Sequence, residues 1–212
     1  MLLCDIGNSS VAFLDNSKYF SLSISEFADY KSEKKVFYIN VNEKMKDVLR
    51  EKENFINLEP YFKFDTIYCG LGVDRIAACY TIEDGVIVDA GSAITVDIVS
   101  NYMHLGGFIL PGIVSYRDAY SEISSRLKCE FNTQVSLDAF PQRTVDALSY
   151  GVFKSIILII KDAAYGKKLY FTGGDGQFLA NFFDKAIYDK LLVFRGMKKI
   201  VEENYHLLFK QT

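Results

Sequence analysis

Two aspartates, Asp5 and Asp89, stand where chemistry on a phosphorylated ligand would need them. Asp5 ends an apolar run in LLCDIGNSSVAF (Leu2–Phe13), and Asp89 ends another in VIVDAGSAITVDIV (Val86–Val99). Each is followed after one residue by a glycine, Gly7 or Gly91, then by small or polar residues and a second apolar run. Glycine lets backbone approach an anion, and the exposed N–H groups of such a turn, with a short hydroxyl such as Ser92, donate to phosphate oxygens. A carboxylate beside that turn would repel phosphate unless a cation stood between them, so Asp89 implies a metal. Asp74 is different. It opens an apolar helix beside Arg75, in GVDRIAAC, just after Gly70 and Gly72. An acid in the first turn of a helix has a sufficient structural reading, since it complements the helix dipole. Arg75 is either a fork of donors for an anionic substrate or half of an ion pair.

The two aspartate–glycine turns are copies of one phrase set 84 residues apart, which places Gly7 on Gly91, Ser9 on Ala93 and Val11 on Thr95. An Asp-x-Gly alone is a common turn. Two copies, each behind an apolar strand, predict duplicated halves, residues 1–83 and 84–212, with a ligand in a cleft between them.

The elements that must carry these residues are short. Leu2–Ile6, Ser10–Leu14 and Lys18–Ile24 read as strands, with Asp15-Asn16-Ser17 as a turn, followed by a brief helix capped by Ser25. Lys35–Asn40 is a strand and Asn42–Glu53 a surface helix. Strands return at Gly85–Asp89, Ile94–Val99 and Tyr102–Ile109. Gly106-Gly107-Phe108-Ile109-Leu110-Pro111-Gly112 then leads into a helix over 114–127, with Pro111 suited to its first turn. Thr144 caps a long helix, Val145–Tyr165, whose apolar residues recur every three or four positions. Lys168–Thr172 is a strand, and the turn Gly173-Gly174-Asp175-Gly176 before the next helix is a place where a nucleotide can lie against backbone. Leu191–Phe194 reads as a last strand and Gly196–Leu208 as a last helix.

With 212 residues, half of them apolar, and a net charge of −3, the chain can bury a core and offers no general nucleic-acid surface. Cys4, Cys69, Cys79 and Cys129 lack C-x-x-C spacing and read as reduced, buried small hydrophobes rather than zinc ligands or disulfides. His104 and His206 stand alone, suited to surface or core roles. No apolar run reaches membrane-spanning length and no leader pattern is visible, so the cytoplasm is the expected compartment.

Strand–strand–strand–helix units with an Asp-x-Gly hairpin in each resemble the actin-like ATPase (ribonuclease H-like) fold of the sugar kinases, an α/β architecture of duplicated mixed sheets flanked by helices. The motif set is narrower: DIGNSS at Asp5, GVDR at Gly72, DAGSAITVD at Asp89, GGFILPG at Gly106, TGGD at Thr172 and the closing LLVFRGMKKIVEEN together resemble type III pantothenate kinase. That resemblance implies ATP-dependent phosphorylation of pantothenate at its 4′-hydroxyl, the first committed step towards coenzyme A. It implies a first phosphate loop of Asp5, Ile6, Gly7, Asn8, Ser9, Ser10, Val11 and Ala12, with Asp5 acting on Mg²⁺. It makes Asp89 the holder of an activating K⁺ or NH₄⁺, Ser92 an ATP contact, and Gly173 and Gly174 part of the nucleotide site. Gly72, Val73, Asp74, Arg75 and Thr144 would contact pantothenate, with Asp74 accepting its proton, and the chain would act as a homodimer. The sequence departs from the family pattern at Ser9 and Ser92, where threonine is usual, and in a shortened loop before Gly72, where Tyr68 is the nearest candidate for a substrate-contacting tyrosine. The other readings are a catalytically silent accessory factor of transcription and a different actin-fold phosphotransferase.

Overall fold

The computed structural model describes residues 1–209; the last three positions of the expected second half, 210–212, lie outside the described residues. The first sheet is built from strands β1 (Leu2–Ile6), β2 (Ser10–Asp15), β3 (Lys18–Ser23), β4 (Val36–Asn40) and β5 (Phe55–Asn57), in the spatial order β3-β2-β1-β4-β5. β1 is antiparallel to β2 and parallel to β4, which is itself parallel to β5. Asn16 turns the β2–β3 hairpin at φ 55, a conformation that asparagine tolerates.

Helix α1 (Ile24–Asp29) is capped two residues earlier than expected: Ser23, not Ser25, accepts from the Glu26 N–H at 3.2 Å, while Glu26 Oε2 accepts from the Ser23 N–H at 2.8 Å. Both partners of this capping box are needed, and only Ser23 has a glutamate three residues on. The surface segment after Asn42 is a 3-10 turn, Glu43–Met45, running into α2 (Lys46–Arg50). α1 and α2 cover one face of the sheet, where Leu2, Cys4, Ile6, Val11, Phe13, Phe27, Met45 and Leu49 form a core. Phe13 stacks on Phe20 at 4.8 Å. α3 (Val73–Cys79) opens with Gly72 as its N-cap and carries Asp74 in its first turn, close to where the sequence starts the helix.

The second sheet contains β6 (Gly85–Ala90), β7 (Ala93–Ser100), β8 (Met103–Pro111), β9 (Leu169–Thr172) and β10 (Ile187–Tyr188), ordered β10-β9-β6-β7-β8. Read from β8, this is the order of the first sheet again, and β6–β9 and β9–β10 repeat its parallel pairs. Asp5 and Asp89 are each the penultimate residue of the central strand. The chain divides into two compact units: Met1–Glu83 with Val99–Gly106 and Leu191–Thr212, and Asp84–Ile98 with Gly107–Lys190.

Pro111 ends β8 rather than starting a helix; Gly112 is the cap and α4 runs Ile113–Ile123. The long helix α5 spans Thr144–Ala164, with Arg143 as its N-cap and Thr144 as its first helical residue, so Thr144 does not cap. Its stripe of Val152, Phe153, Ile156, Ile157, Ile160 and Ala164 packs with Val86, Val88 and Ala90 of β6, the inward alternation of one strand meeting the 3.6-residue period of one helix. α6 (Gly176–Ala180) follows β9.

Leu191–Phe194 is not a strand. It begins α7 (Leu192–Glu203), with α8 (Tyr205–Phe209) after it. Leu192, Val193, Phe194, Met197, Ile200 and Val201 are buried at helical spacing, which outweighs the local run of four apolar residues. α7 packs on α3 so closely that a Cβ on Gly196 would fall on the Ala77 carbonyl oxygen. Among the described residues no helix is long and apolar enough to cross a membrane.

Candidate active site

Each central strand delivers its aspartate to a turn, and the two turns are built differently. In the first unit, β1 places Asp5 opposite Ala12 on one side and Ile39 on the other. The Gly7 N–H closes the turn on the Ser10 carbonyl at 3.1 Å, leaving Asn8, Ser9 and Ser10 exposed. Asn42, itself buried, donates from Nδ2 to the Gly7 carbonyl at 3.2 Å, and its own N–H is held by Asn40 Oδ1 at 2.9 Å. Sequence reading placed Asn42 on a solvated helix and missed this brace; the Asn40-x-Asn42 spacing, an Asx-turn pattern, was the available signal.

The GVDR segment belongs to the same unit and lies near this turn. A Cβ on Gly72 would lie 2.6 Å from Asp74 Oδ1 and 4.0 Å from Val41 Cγ1, and the Val41 N–H donates to the Ile6 carbonyl at 3.1 Å. The absent side chain of Gly72 is therefore what lets the Asp74 carboxylate fold back over the start of α3. Asp74 Oδ1 accepts the Arg75 N–H at 2.7 Å. Arg75 is only 6% exposed, with its guanidinium 4.9 Å from the centre of the Tyr68 ring. A buried guanidinium stacked on an aromatic face is held in one orientation, as directional recognition of an anion requires. Val73 is buried.

In the second unit, the turn from β6 to β7 is only Gly91-Ser92, closed by the Gly91 N–H on the Ala93 carbonyl at 2.9 Å. The start of α4 presses on it: Gly112 N–H and Ser115 Oγ donate to the Ser92 carbonyl at 3.1 and 3.2 Å, and a Cβ on Gly112 would fall on the Gly91 carbonyl. Gly173, at φ +82, lies against Asp89 itself; a Cβ there would sit 2.5 Å from Asp89 Oδ1 and from the Ala90 carbonyl oxygen. Gly174 next to it meets nothing within 4 Å. Asp89, Ser92, Gly173 and Gly174 thus form one group. Thr144 is exposed at the start of α5 in the same unit.

No cluster of three or more His, Cys, Asp or Glu side chains suited to a metal occurs among the described residues. Lone carboxylates are the donor set expected where a hard cation takes its remaining oxygens from a ligand's phosphates and from water. Burial, and secondarily the Asp5 charge, pushes the Cys4 thiol well above its ordinary range, so the cysteine beside this carboxylate is inert. A cavity of about 360 Å³ elsewhere in the first unit is lined by Tyr30, Lys52 and Phe55, with none of the three aspartates in its walls. Lys52 there donates to the Ala28 and Tyr30 carbonyls at 3.1 and 2.6 Å and lies over the Phe27 ring, so its cation fastens the end of α1.

Two mixed five-strand sheets in one repeated order, each with a carboxylate near the end of its central strand, define an actin-like ATPase fold. A Sinorhizobium meliloti protein provisionally described as a 2-dehydro-3-deoxygalactonokinase shares that fold, with TM-score 0.60 at 9% identity over 100% of this chain and 97% of its own. Residues 62–165 match the family profile described as Type III pantothenate kinase. The chain is 74% identical over 209 residues to the type III pantothenate kinase of Campylobacter jejuni, covering 99% of this chain and all of that one. It therefore belongs to the type III pantothenate kinase family. The Helicobacter hepaticus member is 47% identical over 204 residues, 96% of this chain and 99% of its own. A C. jejuni crystal structure, provisionally described as a conserved Baf family transcriptional activator, superposes with TM-score 0.91 at 72% identity, covering 97% of this chain and all of that one.

Proposed function

We propose that this chain transfers the γ-phosphoryl group of ATP to the 4′-hydroxyl of pantothenate, the first step of coenzyme A synthesis, in the cytoplasm. Family membership supports the reaction, and one observation supports the assignment of its parts: Asp74 folded over Gly72 beside a buried, stacked Arg75. Arg75 binds the anionic acceptor, with Gly72, Val73 and Tyr68 contributing to the acceptor's site. The Asp74 carboxylate takes the hydroxyl proton as the new O–P bond forms and the bridging P–O bond to ADP breaks. A primary alcohol gives up its proton late in a loose transition state, so an ionised carboxylate within hydrogen-bond reach suffices.

Exposed Asn8, Ser9 and Ser10, with backbone from Asp5 to Ala12, hold one part of the triphosphate; Ser92, Gly173 and Gly174 hold another part of the nucleotide. Asp5 and Asp89 would hold a divalent ion and a monovalent K⁺ or NH₄⁺ respectively, which offset triphosphate charge that backbone dipoles alone could not. A homodimer is supported by α4, which has no buried residue and leaves its Val114 and Ile123 52% and 71% exposed, and by Phe140, 83% exposed; sedimentation of the purified chain tests it.

The decisive experiment is a coupled assay with ATP, Mg²⁺, K⁺ and pantothenate, each omitted in turn, on wild type and Asp74→Asn. The variant is expected to unfold at the wild-type temperature and bind ATP normally, while turnover falls roughly 10²- to 10⁴-fold. Near-normal turnover would remove Asp74 from the mechanism. The description of the C. jejuni structure as a transcriptional activator raises a second reading, a regulator. That reading requires pantothenate binding with no phosphorylated product at all.

A further inference from the structure

The approach to Gly72 is almost bare chain. Residues 62–72 contain no regular helix or strand, Ile67 is 79% exposed, Cys69 and Gly70 are exposed, and Gly70 sits at φ +73 with nothing within 4 Å of where a side chain would be. Chain of this kind carries a large ordering entropy and opens locally at little cost. Yet Tyr68, in its middle, lies in register with the Arg75 guanidinium.

What fixes it comes from elsewhere in the unit. Thr66 forms an isolated parallel bridge with His104, at the start of β8, and the His104 N–H donates to the Asp65 carbonyl at 2.9 Å. Thr66 Oγ1 lies 2.7 Å from His104 Nδ1 and accepts the Tyr68 N–H at 3.0 Å. A hydroxyl has one donor and two acceptor positions, so Thr66 makes both bonds at once. His104 is fully buried, and its ring packs edge-on to Tyr68 at 6.0 Å and tilted to Phe64 at 6.2 Å. His104, suited by sequence to a surface or core role, is thus the fixed point, Thr66 the link, and the Tyr68 backbone the load.

We infer that His104 and Thr66 are positioning residues for the acceptor: they pin Tyr68 so that its ring holds the Arg75 guanidinium facing an anionic substrate. This rests on the reading of Gly72–Arg75 as the acceptor's site. His104 is fully buried and the Thr66 hydroxyl is engaged by His104 and the Tyr68 N–H, so both act through Tyr68. Their loss therefore costs acceptor binding and leaves the nucleotide side alone.

Thr66→Val keeps the side-chain shape and removes the hydroxyl; Thr66→Ser keeps the hydroxyl. The expected result for Thr66→Val is a KM for pantothenate raised about tenfold, the effect of losing a hydrogen bond of ordinary strength, with the KM for ATP within about twofold of wild type. Thr66→Ser restores the pantothenate KM. A second readout needs no turnover: Cys69, exposed and next to Tyr68, should react faster with a thiol reagent in Thr66→Val than in wild type or Thr66→Ser. If Thr66→Val fails to fold, His104→Asn carries the same two measurements. Wild type that phosphorylates pantothenate, with both the Thr66→Val KM and the Cys69 rate unchanged, overturns this inference alone. A rise of both KM values together overturns it too, since that would be general loosening. Wild type that never phosphorylates pantothenate overturns the functional reading and with it this choice of acceptor, while the Cys69 rates still report whether the clamp exists.

Discussion

At the Asp5 turn, Asn8, Ser9 and Ser10 face solvent, and the brace behind them is a side-chain amide, Asn42 Nδ2 on the Gly7 carbonyl. At the Asp89 turn, the brace is mainly backbone: Gly112 and Gly173 bring main chain against Gly91, Ser92, Ala90 and the Asp89 carboxylate, and the Ser115 hydroxyl adds one side-chain bond to the Ser92 carbonyl. The same strand, aspartate and glycine therefore end in two environments. The first offers several hydroxyl and amide donors with room to adjust; the second offers few, held rigidly. On the proposed reading, side chains that can move suit the end of the triphosphate that changes partner during transfer. A rigid turn suits a ligand that stays put.

The comparison breaks most visibly on alanine. Gly112→Ala drives a methyl into the Gly91 and Ser92 carbonyls, and Gly173→Ala adds a left-handed φ to a collision with Ala90 and Asp89. Each is expected to cost roughly 2–4 kcal/mol, the overpacking cost plus backbone strain. At Gly7 a Cβ would meet the Ser10 carbonyl oxygen at 3.2 Å with no positive φ, and Gly7→Ala should cost less than about 1 kcal/mol. Gly174→Ala, in open space, is the control. Urea denaturation of the four variants measures this directly. Equal losses at Gly7 and Gly112 would mean that the two turns are not differently braced.

A smaller effect sharpens the division of labour between the carboxylates. With Na⁺ in place of K⁺, wild-type turnover should fall several-fold. Asp89→Ala should lose that difference, whereas Asp5→Asn should keep it while needing more Mg²⁺. The readout is initial rate against each cation at saturating ATP. Sodium serving wild type as well as potassium removes the monovalent assignment from Asp89.

The parts legible in sequence were those with a local cause. The Asp-x-Gly hairpins announce themselves by composition, α3 by its acid in the first turn, and α5 by twenty-one residues of sustained helical period. The parts that were not legible are held by distant partners. β5 is three residues long, and its strand character comes from pairing with Val36–Tyr38, which no local pattern records. β10, two residues, exists for the same reason beside β9. Leu191–Phe194 has a strand's composition, and only packing against α3, through the bare Gly196, makes it helix. At the candidate site, Asp5, Asp74 and Asp89 were readable as residue types. The supports were not: His104 lies 38 residues from Thr66, and Gly112 lies 21 from Gly91. Spacing within a motif reveals the candidate reactive groups; long-range contacts decide which groups hold them still.

The slightest effect lies in the second turn's closer packing. Asp175 follows Gly173-Gly174, its N–H donates to the Ala90 carbonyl at 2.9 Å, and burial raises its carboxyl above the ordinary range. The folded chain therefore keeps this proton at pH values where the unfolded chain, with a carboxyl near about 3.9, has already lost it. Unfolding releases the proton, so the stabilising contribution is fully present below the unfolded value and is lost as pH rises through the folded one. Asp175→Asn cannot titrate. Its melting temperature relative to wild type should climb as pH rises from about 4 to 7, by less than about 2 °C for a half-buried group in a chain of this size. The difference cancels groups common to both proteins, including Asp15, whose carboxyl its hydrogen bond to Lys34 holds low and which would slope the other way. A difference that falls with pH would mean that the turn favours the charged carboxylate, and that the rigid side of the molecule is less dry than its packing implies.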